Sequence, residues 1–312
     1  MRRTLSTLKG KVSIISIPMN LGQPNLGLDK APQSLIDGGL NGLLGDLGWR
    51  IESPPPLVVD MGSTAQDVLP AGLKAKNCAQ VGKGCEIIYQ HTLQYCVDDR
   101  FPLILGGDHC IAAGTISAIK SARPETAIVW VDAHADINTP ARSNSGNMHG
   151  MPVAFLMGLV ENANKLPGFQ WFKPCMKPSD LVYIGLRDVD SDERRTIKNL
   201  GIKAFSMYEV DKLGIGKVME QTLDFLDKRD IHLSFDIDGI DPFFAPHTGT
   251  AVTGGLTFRE GNFICEELYN SKRLTSMELV EVDPSQHSGV AHSKTIDVAL
   301  TLIGSAMGKK IL

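Results

Sequence analysis

Of the 312 residues, 31 are Lys or Arg and 35 are Asp or Glu, a formal net charge of −4 with both signs interspersed. That balance excludes the basic footprint of a nucleic-acid binder and the polybasic patch of a membrane-surface protein. Six cysteines (78, 85, 96, 110, 175 and 265) are scattered without a CxxC, which argues against a disulfide framework or a zinc–thiolate site and for a reducing, cytoplasmic compartment. The apolar runs have the length of strands, far short of the roughly 20 residues of a membrane span. The opening MRRTLSTLKGK carries arginines and hydroxyls but no acid, the composition of a transit peptide, so a mitochondrial address is the alternative.

In chain order, β-branched apolar runs predict strands at 12–18, 56–60, 102–105, 127–133, 181–186, 231–238 and 276–283. Helix-like stretches fall between and after them, at 31–46, 70–97, 110–121, 191–199, 213–228, 259–270 and 291–308. Strands that are apolar throughout are buried on both faces, which is the pattern of a parallel sheet covered by helices. The expected class is α/β: one domain spanning 1–312, in three layers α/β/α with a mostly parallel central sheet. No low-complexity linker or short-period repeat divides it. In such sheets the ligand lies beyond the carboxyl ends of the strands, so polar residues at those ends carry the functional signal.

Three strand ends are dense in metal-binding groups: Gly106-Gly107-Asp108-His109, Asp132-Ala133-His134-Ala135-Asp136, and Asp236-Ile237-Asp238. If the strands continue through them, residues i, i+2 and i+4 share a face, so Asp132, His134 and Asp136 point one way and Asp236 and Asp238 form a second set. One Asp at a strand end is ordinarily a helix cap or turn residue, and one His ordinarily a hydrogen-bonded core residue. Three such ends together are not explained that way. Carboxylates crowded in an apolar setting repel one another and call for a cation. Four Asp and two His without thiolates make a hard, mostly oxygen site whose formal −4 balances two divalent ions, with Mn²⁺ favoured over thiolate-seeking metals.

At these residues the chain resembles the ureohydrolases, and among them the arginase family. The resemblance rests on GGDHCIAAG (106–114), WVDAHADINTP (130–140), SGNMHGMPVAF (145–155), GLRDVD (185–190), SFDIDGIDPFFAPHTGT (234–250), GGLTFRE (254–260) and MELVEVDPS (277–285), with ISIPMNLGQPNLGLDKAP (15–32) near the start. It implies that one Mn²⁺ is held by His109, Asp132, Asp136 and Asp236, and a second by Asp132, His134, Asp236 and Asp238. It further implies that His149 shuttles protons, that Asp136 and Asp238 relay one to the leaving amine, and that Glu281 faces a substrate guanidinium. Asn138, Ser145, Asn147 and Asp190 match residues that meet the α-amino acid head, and Ser143, Glu193 and Thr250 join the same substrate set. Ser143 stands where Thr is common, Cys110 where Ser is usual, and His247 at a loop position that is usually small; His247 is expected to face solvent. Relatives form homotrimers or homohexamers.

The reaction so implied is manganese-dependent hydrolysis of L-arginine to L-ornithine and urea through a metal-bridging hydroxide. The alternatives are another ureohydrolase (an agmatinase or guanidino-acid hydrolase) and a metal-binding protein without turnover. A binuclear phosphatase lacks support, because no Arg/Lys cluster or phosphate-cradling loop accompanies the ligands in the sequence. For Asp190 a helix cap is the competing role, and for Glu281 a structural salt bridge.

Overall fold

The computed structural model describes residues 10–59, 68–97, 99–286 and 294–311. Its strands are β1 (Lys11–Ile17), β2 (Arg50–Glu52), β3 (Arg100–Gly106), β4 (Ala127–Val131), β5 (Leu181–Leu186), β6 (Lys203–Ser206), β7 (Ile231–Asp236) and β8 (Leu274–Val280). They form one eight-stranded sheet in the order β2-β1-β3-β8-β7-β4-β5-β6, and every pairing in it is parallel. The α-helices are α1 (Ala31–Asp37), α2 (Leu40–Asp46), α3 (Cys78–Leu93), α4 (Ala112–Ala122), α5 (Pro152–Leu156), α6 (Ser191–Leu200), α7 (Met207–Leu213), α8 (Ile215–Phe225), α9 (Phe258–Asn270) and α10 (Lys294–Ala306).

Strand side chains alternate between two apolar layers, as the pleat requires. Val12, Leu103, Val129, Val182, Leu233 and Met277 pack on one face with α1, α2, α8, α9 and α10. Ile15, Ile104, Ile128 and Tyr183 pack on the other with α3, α4 and α5. The α/β/α expectation is met. No described helix is long and apolar enough to cross a membrane.

Several boundaries differ from those expected. Residues 53–59 form no strand: Pro54, Pro55 and Pro56 have no N–H to give, and Leu57 alone bonds to β1, at Ser16 O. Asp60 lies outside the described residues, as do 1–9, where the transit-like composition was noted, and 291–293, the start of the last expected helix. The 31–46 stretch splits into α1 and α2 at Gly38-Gly39, with Gly39 at φ 103°. Of 70–97, the helix begins only at Cys78, after Asn77 turns the chain at φ 55°. The edge strands β2 and β6 and the short α5 and α7 were not anticipated.

One departure bears on the site. β4 stops at Val131, so Asp132–Asp136 is a loop, with Asp136 at φ 48°. β7 likewise ends at Asp236, and 237–239 is a single 3₁₀ turn. The ligand candidates converge through loop geometry rather than strand alternation.

Candidate metal centre

The carboxyl ends of β3, β8, β7 and β4 lie side by side, and the candidate residues follow directly from them. His109 Nδ1 lies 3.2 Å from Asp132 Oδ2, 3.2 Å from Asp236 Oδ2 and 3.3 Å from Asp136 Oδ2. His134 Nδ1 lies 3.1 Å from Asp238 Oδ2 and 3.4 Å from Asp132 Oδ1. Donor atoms of His109, Asp132 and Asp236 fall within 4.8 Å of one another, as do those of Asp132, His134 and Asp238, so Asp132 belongs to both sets. Every residue in the two sets is buried except His134, which is partly exposed.

Local hydrogen bonds hold the loops in this shape. Asp132 Oδ1 accepts the His134 N–H at 2.6 Å, and Asp236 Oδ1 accepts the Asp238 N–H at 2.8 Å; each carboxylate closes its own turn. Asp238 also accepts the Ala133 N–H (3.2 Å) and the Thr250 hydroxyl (2.9 Å). Asp108 ties two further loops, taking the Cys110 N–H on Oδ1 and the Gly22 N–H on Oδ2. A Cβ on Gly107 would meet Met19 O at 1.9 Å, so only glycine permits this close approach.

Beneath His109 lies a buried polar layer. The register places Trp130, Ser234, Glu278 and Ile104 in one row across β4, β7, β8 and β3. The His109 ring stacks on Trp130 at 4.0 Å, and its Nε2 is 2.8 Å from Ser234 Oγ. Ser234 donates to Glu278 Oε1 (2.7 Å), Thr115 donates to Glu278 Oε2 (2.5 Å), and His232 Nε2 is 3.5 Å from the same carboxylate. All these side chains are fully buried. An imidazole with one nitrogen anchored this way presents the other to the cluster. Ser234, His232 and Glu278 were not singled out in the sequence. For His232 and Ser234 the signal was the strict apolar–polar alternation of β7, IHLSFD, inside a strand buried on both faces; Glu278, on β8, had none.

Electrostatics show the strain of bare charges. Burial alone would raise Asp132, but hydrogen bonds with His109 and His134 win and hold it well below the usual carboxylate range. Burial and neighbouring carboxylates push Asp136, Asp236 and Asp238 up. The site has more carboxylate than its two imidazoles can balance. The donor set therefore fits two divalent cations.

Glu281, at φ 62° just past β8, is fully buried. Its Oε1 accepts the His109 N–H (2.9 Å) and faces His149 Nδ1 (3.1 Å), while Oε2 has no partner among the described residues. Burial lowers the His149 imidazole, but the Glu281 hydrogen bond and the charges of Glu281, Asp136 and Asp108 overcome it and raise it to about 9.

A cleft of about 170 Å³ opens over the cluster, lined by His134, Asp136, Asn138, His149, Asp190 and Thr250 among others. Asp190 is the N-cap of α6, and its Oδ2 accepts Asn138 Nδ2 at 3.0 Å. Glu193 does not point freely at the cleft: its carboxylate accepts the Ile137 and Asp190 N–H groups, and burial raises it to about 7. Ser143 and Ser145 close their own loop by accepting the Gly146 and Asn147 N–H groups. His247 is half-buried rather than facing solvent, and its backbone bonds to Thr295 and Asp283. Cys110 is buried, and burial with its Cys85 contact raises the thiol well above its ordinary value, so it stays a thiol. No disulfide joins any of the six cysteines.

Arg187 is a further residue that sequence reasoning passed over, although it stands within GLRDVD. Its guanidinium donates to the carbonyls of Asp238 (2.6 Å), Gly239 (3.2 Å), Gly185 (3.3 Å) and Val252 (2.7 Å), clamping the Asp236–Gly239 turn.

Comparison with known proteins identifies the family. The sequence model of the Arginase family matches residues 10–308. Arginase-1 of Rattus norvegicus is 42% identical over 312 residues, covering 98% of this chain and 95% of that protein. Arginase of Glaciozyma antarctica (strain PI12) is 42% identical over 305 residues, 96% of this chain and 88% of that one. The solved arginase of Bacillus caldovelox superposes with a TM-score of 0.87 at 38% identity, covering 97% of this chain and all of its own. The chain belongs to the arginase family.

Proposed function

We propose that the protein hydrolyses L-arginine to L-ornithine and urea with two Mn²⁺ ions, one at His109, Asp132, Asp136 and Asp236 and the other at Asp132, His134, Asp236 and Asp238. The observation that carries the reading is Glu281: a buried carboxylate beside the cluster, with Oε2 unpartnered and so suited to a guanidinium. Two divalent cations would supply Lewis acidity there, lowering the pKa of water from about 15.7 to about 7.

The chain's own groups supply the rest. Glu281 orients the planar guanidinium, and the small Gly249, whose added Cβ would sit 2.9 Å from Oε2, leaves room for it. Asp136 and Asp238 flank the cluster and can carry the proton released by the attacking water to the leaving nitrogen. His149 holds Nδ1 against Glu281, so Nε2 is the atom that exchanges protons with bulk; its side chain is 16% exposed. Asn138, Ser145, Asn147 and Asp190 receive the amino-acid head, with Ser143, Glu193 and Thr250 shaping the loops and carboxylates around them. A closed homotrimer or homohexamer is proposed for the assembly, supported by exposed Tyr208, Leu213 and Phe225 on α7 and α8.

The test is urea release by Mn²⁺-loaded protein from arginine, agmatine and 4-guanidinobutyrate. Arginine is expected to be preferred by about a hundredfold or more, because its head alone satisfies the polar groups at the mouth. Equal use of agmatine would transfer the chain to another ureohydrolase activity.

A further inference from the structure

The loop 138–147 is tied at its two ends to opposite charges. At one end Asn138 donates to the Asp190 carboxylate at 3.0 Å. At the other, Asn147 Oδ1 accepts the ammonium of Lys76 at 3.1 Å. The backbone under Lys76 is laced to the same loop: Lys74 N–H bonds to Pro140 O and Lys76 N–H to Gly146 O, both at 2.8 Å. Asn77, at φ 55°, then turns the chain into α3 and anchors to Leu21 O. The position of Lys76 is therefore fixed, while its side chain stays in solvent.

The charges around it give the position a meaning. Among the described residues, and histidines aside, every ionisable residue lining the cleft is acidic: Asp136, Asp188, Asp190, Glu193 and Asp236. Such a mouth attracts a guanidinium or an ammonium and repels a carboxylate. Lys76 forms no ion pair among the described residues, and its hydrogen bond occupies the acceptor of Asn147 and leaves that amide's N–H groups to donate. An ammonium and an amide N–H pair side by side make a carboxylate-binding corner.

With Asn147 and Asp190 as the head-group contacts that the resemblance already implies, we propose that Lys76 adds its ammonium to the side that takes the substrate α-carboxylate, opposite the acidic Asp190, so that the two charges fix which way round the head group lies. This rests on the arginine-hydrolase reading above.

In the Mn²⁺-loaded enzyme at low ionic strength, Lys76→Met is expected to raise KM for arginine about fivefold, the loss falling on KM rather than on kcat. Lys76→Arg keeps the charge and restores most of the wild-type KM. The difference between Lys76→Met and wild type shrinks in about 1 M salt, where the screening length is about 3 Å. Agmatine, which lacks the carboxylate, competes equally well against both proteins. A Lys76→Met enzyme with the wild-type KM for arginine, or one that weakens agmatine as much as arginine, overturns the assignment and leaves the arginine reading standing. Wild-type protein that releases no urea from arginine overturns both.

Discussion

Glu281 meets His149 through a single carboxylate oxygen. Oε1 sits 3.1 Å from His149 Nδ1 and also takes the His109 backbone N–H, which leaves Oε2 buried without a partner. One carboxylate thus fixes the start of the His109 turn, holds a proton on the imidazole, and keeps an acceptor in reserve.

Replacing Glu281 by Gln preserves the volume and an acceptor for the His109 N–H but removes the charge. Turnover of arginine is expected to fall on the order of a hundredfold, the equivalent of a charge-assisted hydrogen bond of about 1.5–3 kcal/mol, with the far-UV circular dichroism unchanged. Steady-state kinetics showing less than a threefold loss would remove Glu281 from the guanidinium contact.

His149 gives a pH signature in metal-free protein. Its folded pKa of about 9 lies above the ordinary value of 6.5, so folding is favoured by the extra proton. That stabilisation is complete below about pH 6.5 and is lost as pH rises through about 9. Melting temperatures across pH 6–10 are expected to fall more for wild type than for His149→Gln. Parallel curves for the two proteins would place the proton elsewhere.

The buried row under His109 predicts a loss at the metal rather than at the substrate. Glu278→Gln and Ser234→Ala should each weaken binding of one divalent ion by about ten- to a hundredfold, because the anchored imidazole loses its orientation. Calorimetric titration of chelator-stripped protein with Mn²⁺ reads this directly. Two ions bound with wild-type affinity by both variants would reduce the row to packing.

Arg187 predicts a stability effect that spreads to the site. Arg187→Ala strips a donor from the carbonyls of Asp238, Gly239 and Val252 and is expected to cost about 2–4 kcal/mol in denaturant unfolding. Lys in its place reaches fewer of these carbonyls and recovers only part.

The sheet was legible wherever strands are buried on both faces, because Val, Ile and Leu run unbroken there, as in AIVWV and LVYIGL. It was not legible at the edges. RIE and KAFS carry no such run, and PLVVD carries one but follows prolines that cannot join a ladder. The Asp–His constellations were visible from composition at strand ends, although the reason first given for their convergence, side-chain alternation along a strand, is replaced by carboxylates that close their own turns. Glu278 and Arg187 stayed hidden. Their roles depend on register between strands distant in sequence and on carbonyls, and a carbonyl has no letter in the sequence.

The parallel order of the sheet also sets when the site can exist during synthesis. β3 has β8 as its neighbour, and His109 relies on Ser234, 125 residues later, and on Glu281, 172 residues later. A nascent chain that has just made β4 holds His109, Asp132, His134 and Asp136 but neither Asp236 nor Asp238, and one side of β3 is still an open edge. Pairings of such long sequence separation form late and slowly. Metal capture is therefore deferred to the end of translation, and a polypeptide released before β7 is both unable to bridge two ions and prone to pair its open β3 edge with another chain.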